Sequence, residues 1–146
     1  MLFRSVLAQQ LNKPDVLLFD VREPDEFDQS HLPGARRIDP GMTAQEFLAA
    51  YGPQLKDKTV VFYCAVGVRS GRMLTRVQSA LPLYGAKDAY NLRGGIFRWN
   101  AAGQTVVADS AGRSTSAQTV HPYDASWGKL LDRSRQSKAG PAAPSQ

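Results

Sequence analysis

One cysteine, Cys64, stands where an apolar run, Val60-Val61-Phe62-Tyr63, gives way to Ala65-Val66-Gly67-Val68-Arg69-Ser70 and then to residues of helical period. A glycine-containing loop between a strand end and a helix N-terminus can curl so that successive backbone N–H groups point inward, making an anion nest that the helix dipole reinforces. A sulfur in such a nest is favoured as the thiolate, the form that acts as nucleophile. Much of the gain in thiolate is returned as lower intrinsic nucleophilicity, so orientation and stabilisation of a charged adduct must supply most of any catalysis. Arg69 and Arg72 add a second signal. Cations at a helix start meet the positive end of the dipole and are disfavoured unless an anion is present, so the pair implies an anionic ligand. The plain alternative is a buried structural thiol. Gly67, Arg69, Ser70 and the strand-loop-helix setting favour the reactive one.

The elements that must position this loop are legible. Phe3, Val6, Leu7 and Leu11 recur at helical spacing and stop at Asn12 and Pro14. Val16-Leu17-Leu18-Phe19 reads as a strand buried on both faces and ending at Asp20. Pro24 suits the first position of a short helix closed by His31-Leu32-Pro33-Gly34. Thr43 and Glu46 form a capping-box pair, with Met42 and Phe47 at the staple positions, so a helix is predicted from Ala44 to about Tyr51. Val60 to Tyr63 is the second buried strand and delivers Cys64 to its carboxyl end. From Ser70, the spacing of Met73, Leu74, Val77 and Leu81 predicts a helix stopped by Pro82. Ala89-Tyr90-Asn91-Leu92 reads as a third strand, Gly94-Gly95 as a turn, Ile96 to Ala101 as a short helix, and Thr105-Val106-Val107 as a last edge strand. Strands alternating with helices make an α/β domain with a mostly parallel sheet, whose ligands sit at the strands' carboxyl ends.

A chain of 146 residues holds one domain with a buried core. Its 42% apolar and 21% charged residues are ordinary for a globular protein and exclude wholesale disorder or a fibrous repeat. Residues 1–107 are read as the domain. After Val107 the run ADSAGRSTSAQT has linker composition, making 108–146 a polar linker and partly disordered tail, in which Trp127, Leu130 and Leu131 could form one helical turn near 125–131. The formal charge of +5 is spread along the chain, with six acids between Asp15 and Asp28 and arginines concentrated in the middle. No dense basic stripe marks a nucleic-acid binder. No apolar run has the length of a membrane span, no secretory leader is apparent, and a cytoplasmic protein without a membrane partner is expected. With one cysteine, neither an internal disulfide nor a multi-cysteine metal site is available, and no metal is expected.

Four segments together carry a resemblance: DVREPDEF at Asp20 to Phe27, HLPGA at His31 to Ala35, the loop Cys64 to Ser70, and NLRGGIFRW at Asn91 to Trp99. In that order and at those separations they resemble the rhodanese-like sulfurtransferase domains over roughly residues 3–107. The resemblance implies a rhodanese-like α/β fold, a five-stranded, mostly parallel sheet with helices on both faces. It also implies sulfur transfer without a cofactor: the loop cysteine takes the outer sulfur of a donor such as thiosulfate or an organic or protein persulfide, holds it as a persulfide, and passes it to a thiol, to cyanide or to a protein acceptor. Position by position, Cys64 matches the sulfur-accepting nucleophile, and Ala65, Val66, Gly67, Val68 and Arg69 match the loop that holds the persulfide, with Ser70 following. Arg69 matches the arginine that fixes the loop or the donor. Asp20 and Arg22 match scaffold positions, Arg72 supports the site's charge, and Gly94 and Gly95 match a tight turn beside it. Trp99 is read as core, and His31 as a turn residue rather than a base.

Two departures matter. Ala65 stands where thiosulfate users often carry a basic or polar residue, and with Val66 and Val68 it predicts a less charged mouth, better suited to an organic or protein donor. The tail beyond Val107 has no counterpart in the minimal domain. Two other readings compete. Phosphatases and arsenate reductases of this fold have one residue more between cysteine and arginine than the four here, a wider cradle for a tetrahedral oxyanion. Binding or regulatory modules of this fold usually lack the cysteine. Because Cys64 has no cysteine partner, a persulfide on it needs an external acceptor.

Overall fold

A computed structural model of the chain describes residues 11, 13–110, 113–117 and 120. Strands β1 (Val16–Asp20), β2 (Arg36–Arg37), β3 (Thr59–Tyr63) and β4 (Asp88–Asn91) form one parallel sheet in the order β2-β1-β3-β4. Helices α1 (Pro24–Gln29), α2 (Ala44–Tyr51), α3 (Val68–Val77) and α4 (Gly95–Ala101) make the connections and flank the sheet.

Apart from Thr59 and Asp20 at their ends, the two central strands are apolar because both of their faces are covered. Their residues alternate between two cores. Leu18, Val61 and Tyr63 pack with Leu32, Leu92, Ile96, Phe97 and Trp99 on one side. Leu17, Phe19, Val60, Phe62 and Cys64 pack with Ile38, Phe47, Leu55, Met73 and Val77 on the other. Phe19 anchors this second core, meeting Phe47 edge-on at 5.1 Å and Phe62 stacked at 5.5 Å between ring centroids.

The capping box at α2 forms as expected: Thr43 Oγ1 accepts from Glu46 N at 3.1 Å, and Glu46 accepts from Thr43 N at 2.9 Å. The other helices and strands start within two residues of their predicted bounds; α3 begins at Val68, capped by Gly67 with φ of 108°, and ends at Val77 rather than Leu81, because Leu81–Tyr84 tightens into a separate 3-10 turn that carries Pro82. β2 was not foreseen, since two arginines carry no strand pattern; its backbone pairs Arg36 with Phe19 and Arg37 with Asp20.

The carboxyl-terminal part of the domain departs from expectation. Thr105 to Val107 does not add a fifth strand to the parallel sheet. Instead β5 (Val106–Ser110) pairs antiparallel with β6 (Arg113–Ala117), and Val107 exchanges two 2.8 Å backbone hydrogen bonds with His31. The run read as linker after Val107 is therefore partly strand. Its small polar residues show no apolar alternation, but the pairing is made by backbone groups, which composition does not report. Val120 is fully buried in the core beside Leu32 and Val106. The helix expected from Phe3 to Leu11 lies outside the described residues except for Leu11, which stands in a turn, and the helix expected near 125–131 lies outside them, as does most of the predicted tail. Among the described residues no helix is long and apolar enough to cross a membrane.

Candidate active site

The parallel sheet ends Asp20, Tyr63 and Asn91 at one edge, and the chain leaving β3 begins the cysteine loop there. Cys64 is 1% exposed. Its sulfur accepts a hydrogen bond from Gly67 N at 3.0 Å and has Ser70 Oγ at 3.4 Å.

The loop's backbone polarity is set by α4. Ile96 N donates to Cys64 O at 2.9 Å and Phe97 N to Ala65 O at 3.1 Å, so two carbonyls turn towards the first turn of that helix. Across each trans peptide the next N–H points the opposite way, away from α4. This approach requires glycine at position 95, where φ is 59° and any Cβ would collide with the Cys64 and Ala65 carbonyl oxygens. Gly94, at φ of 78°, caps α4. The predicted tight turn thus lets a helix N-terminus pack directly against the loop backbone.

Arg69 does not wait for an anionic ligand. It donates to both carboxylate oxygens of Glu26, at 2.7 and 3.0 Å, and Glu26 is 1% exposed. Glu26 also accepts from Glu23 N at 3.0 Å, capping α1. Burial works against the charge on Glu26, yet the two bonds from Arg69 outweigh it and hold the carboxyl below its ordinary range. The charge that the sequence assigned to a bound anion is answered within the chain. Arg72, one turn along, is exposed.

Asp20 and Arg22 form a second, fully buried pair. Arg22 donates to the two Asp20 oxygens at 2.8 and 2.7 Å and to Ser30 O at 2.7 Å. Tyr63 OH donates to Asp20 and accepts from Leu32 N at 3.0 Å. Burial opposes the charge on Arg22, but Asp20 more than compensates and raises the guanidinium above its ordinary value. Burial raises the Tyr63 hydroxyl well above its ordinary value, and Asp20 adds to that. This network ties β1 to the residue preceding Cys64 and fixes the strand end from which the loop departs.

Ala65 is displaced from its expected role. Its side chain is 1% exposed and packs in the core with Ile96 and Phe97, so it does not face the mouth. Val68, 51% exposed, is the apolar loop residue open to solvent. His31 stacks flat on Phe27 at 3.9 Å, and Trp99 is buried with its indole N–H on Thr105 O at 2.8 Å.

The sequence reading missed Glu26, Tyr63 and Asn91 as site residues. Asn91 donates to Gly67 O at 3.0 Å and accepts from Ser70 Oγ at 2.6 Å, bridging the loop to β4. Its signal was positional: it ends the strand beside the one that leads into the cysteine. Glu26 occupied the third position of a Pro-led helix, where an acid is ordinarily read as a cap and nothing more.

Similar proteins include the "Probable adenylyltransferase/sulfurtransferase MoeZ" of Mycobacterium tuberculosis, 42% identical over 82 residues that make up 56% of this chain and 19% of that protein. A "Sulfurtransferase" of Allochromatium vinosum is 35% identical over 103 residues, covering 70% of this chain and 89% of that one. Among solved structures, a rhodanese-like domain protein of Staphylococcus aureus superposes with a TM-score of 0.54 at 24% identity, over 72% of this chain and 92% of that chain. The chain spans less than two thirds of the length of several curated relatives that it matches, MoeZ among them. A model of the "Rhodanese-like domain" matches residues 4–102, more than half of the chain. With the parallel sheet and the cysteine loop at its carboxyl edge, that match makes this chain a member of the rhodanese-like domain family.

Proposed function

We propose that the chain is a sulfurtransferase that carries sulfane sulfur as a persulfide on Cys64. The observation that carries this reading is the Gly67 N–H held 3.0 Å from the Cys64 sulfur in a loop whose carbonyls are tied outward by Ile96 and Phe97. Such a cradle offers N–H donors to a sulfur anion before it forms, which is electrostatic preorganisation. With thiosulfate, the Cys64 thiolate would bond to the outer sulfur while the donor's S–S bond breaks and its electron pair leaves on sulfite. A thiol acceptor would then bond to the outer sulfur, the Sγ–S bond would break with its pair on Sγ, and the acceptor's proton would remain on the product persulfide. No group beyond the chain, donor and acceptor enters this balance.

The near-complete burial of Cys64 favours a donor that presents one sulfur atom at the end of a narrow approach. An organic or protein persulfide and thiosulfate all do so; thiol, cyanide and protein acceptors are equally compatible. With four residues between Cys64 and Arg69, and Arg69 engaged by Glu26, the loop lacks the free arginine that an oxyanion-transferring enzyme would direct at its substrate. The setting proposed is cytoplasmic, where the lone thiol stays reduced.

Intact-protein mass spectrometry after separate exposure to thiosulfate, 3-mercaptopyruvate and glutathione persulfide tests the reading. One added sulfur, removed by cyanide or glutathione and missing in Cys64→Ser, is expected. No added sulfur from any donor, or turnover of p-nitrophenyl phosphate, would overturn it.

A further inference from the structure

Ser70 has one hydroxyl proton and two acceptors for it. Asn91 is oriented by Gly67 O, which can only accept; the Asn91 amide nitrogen therefore faces that carbonyl at 3.0 Å, and its oxygen faces Ser70 at 2.6 Å. The second candidate is the Cys64 sulfur at 3.4 Å. Ser70 is fully buried, and among the described residues these are its two side-chain partners.

We infer that the Ser70 hydroxyl is a hydrogen-bond switch that follows the charge on Cys64, with Asn91 as the positioning residue whose Oδ1 accepts the hydroxyl's hydrogen bond when the sulfur is not an anion. The inference rests on the sulfur-transfer reading above. In the persulfide, the negative charge lies on the outer sulfur and Sγ is a neutral divalent sulfur, a weak acceptor, so the hydroxyl points to Asn91 Oδ1. When an acceptor thiol attacks, the Sγ–S bond breaks with its electron pair on Sγ. The hydroxyl then swings to the departing thiolate, adding a donor to the one from Gly67 N. No proton is transferred; one hydrogen bond is exchanged for another. A hydrogen bond that appears only as charge develops favours the transition state over the ground state. In the loading step the same bond must be given up, because the attacking thiolate is a better nucleophile with fewer donors upon it. Asn91 Oδ1 is placed to take the hydroxyl back, so one serine serves both half-reactions.

The arrangement predicts opposite effects of two substitutions. Ser70→Ala removes the donor, so discharge slows while the attacking thiolate is freed; the ratio of discharge rate to loading rate should fall about tenfold, one hydrogen bond to a developing anion. Asn91→Ala removes the competing acceptor and leaves the hydroxyl on Sγ, so loading slows more than discharge and the ratio rises. Rapid-quench mass spectrometry of the full chain measures each half-reaction, with thiosulfate or glutathione persulfide for loading and cyanide or glutathione for discharge. Thermal melts accompany both variants. A structural role alone would slow both half-reactions together in each variant, and that result in a chain that loads sulfur would overturn the switch while leaving the function intact. Failure of the unsubstituted chain to load from either donor would overturn both.

Discussion

Glu26 and Arg69 lie 43 residues apart in sequence and are joined by two hydrogen bonds of 2.7 and 3.0 Å, from the two terminal nitrogens of one guanidinium to the two oxygens of one carboxylate. This fork fastens the cysteine loop to α1. The Arg69 side chain is 15% exposed and Glu26 1%, so the pair is shielded on the acid's side and open on the base's. Planar bidentate geometry of this kind fixes orientation as well as charge, which a lysine could not do.

Glu26→Ala should therefore cost about 2 kcal/mol, less than the loss of a fully buried pair because Arg69 can turn to solvent. Thermal melts should show a drop of several degrees. Arg69→Lys should keep most of the stability but loosen the loop, so sulfur loading of Cys64 should slow more than the melting point falls. Equal loading rates in Arg69→Lys and the parent would show that the fork does not hold the loop.

The same pair makes stability depend on acidity. Glu26 is held below the ordinary 4.5 of a glutamate, so as pH falls the unfolded chain takes up the proton first. Its contribution is complete above about pH 4.5 and is lost as pH falls through the lower, folded value. Urea melts from pH 3 to 7 should show the stability difference between the parent and Glu26→Gln constant in the upper part of that range and shrinking below about 4.5. A difference that grew towards low pH would reverse the assignment.

Gly95→Ala isolates the contact between α4 and the loop. A Cβ there meets two carbonyl oxygens and also strains a left-handed backbone, whereas Gly34, at φ of 79°, has open space around it. Gly34→Ala should cost about 1–2 kcal/mol from backbone strain alone, and Gly95→Ala roughly twice that or more. Comparable melting points for the two would mean that α4 can back away from the loop at little cost.

Much of this architecture is legible in the amino-acid sequence for physical reasons that differ between elements. β1, β3 and α2 declare themselves because burial on two faces demands unbroken apolar runs and because Thr43 and Glu46 cap each other locally. The cysteine loop was legible because Gly67 and the strand-helix junction are sequence-local. What escaped depends on contacts between distant residues. Nothing near Arg69 indicates that Glu26 will neutralise it, the place of Asn91 at a strand end brings it beside the loop without indicating that it bonds Gly67 and Ser70, and the backbone pairing of β6 with β5 leaves no trace in side-chain pattern.

The mouth of the loop offers a charge test at a position that the structure selects. Ala65 is buried against Ile96 and Phe97, so Ala65→Arg should destabilise the fold rather than add charge at the entrance. Val68→Arg places the charge in solvent beside the loop, where it should favour thiosulfate over a neutral donor by about 1 kcal/mol at low salt, roughly fivefold in kcat/KM. Raising the salt to physiological strength should erode that preference. A preference unaffected by salt would mean that the substitution had reshaped the loop instead.

The segment following Val107 supplies the last test. Val120 is fully buried among Leu32, Val106 and their neighbours, and β6 hydrogen-bonds along the whole of β5. Composition alone makes the tail dispensable from about residue 110; these contacts predict the opposite for its first part. Val120→Ala removes two buried methyl groups and should cost about 2–3 kcal/mol, at roughly 0.8 kcal/mol per buried carbon plus the cavity left behind. Truncation after Ser110 removes both Val120 and β6 and should cost more, with the midpoint falling by more than about 10 °C at roughly 5 °C per kcal/mol for a domain of this size. Because His31 is bridged to Val107 and α1 carries Glu26, the loosening should also reach the cysteine loop. Sulfur loading in the truncated chain should thus fall together with its stability, whereas an unchanged melting point would show that β6 and Val120 merely rest on a core already complete without them.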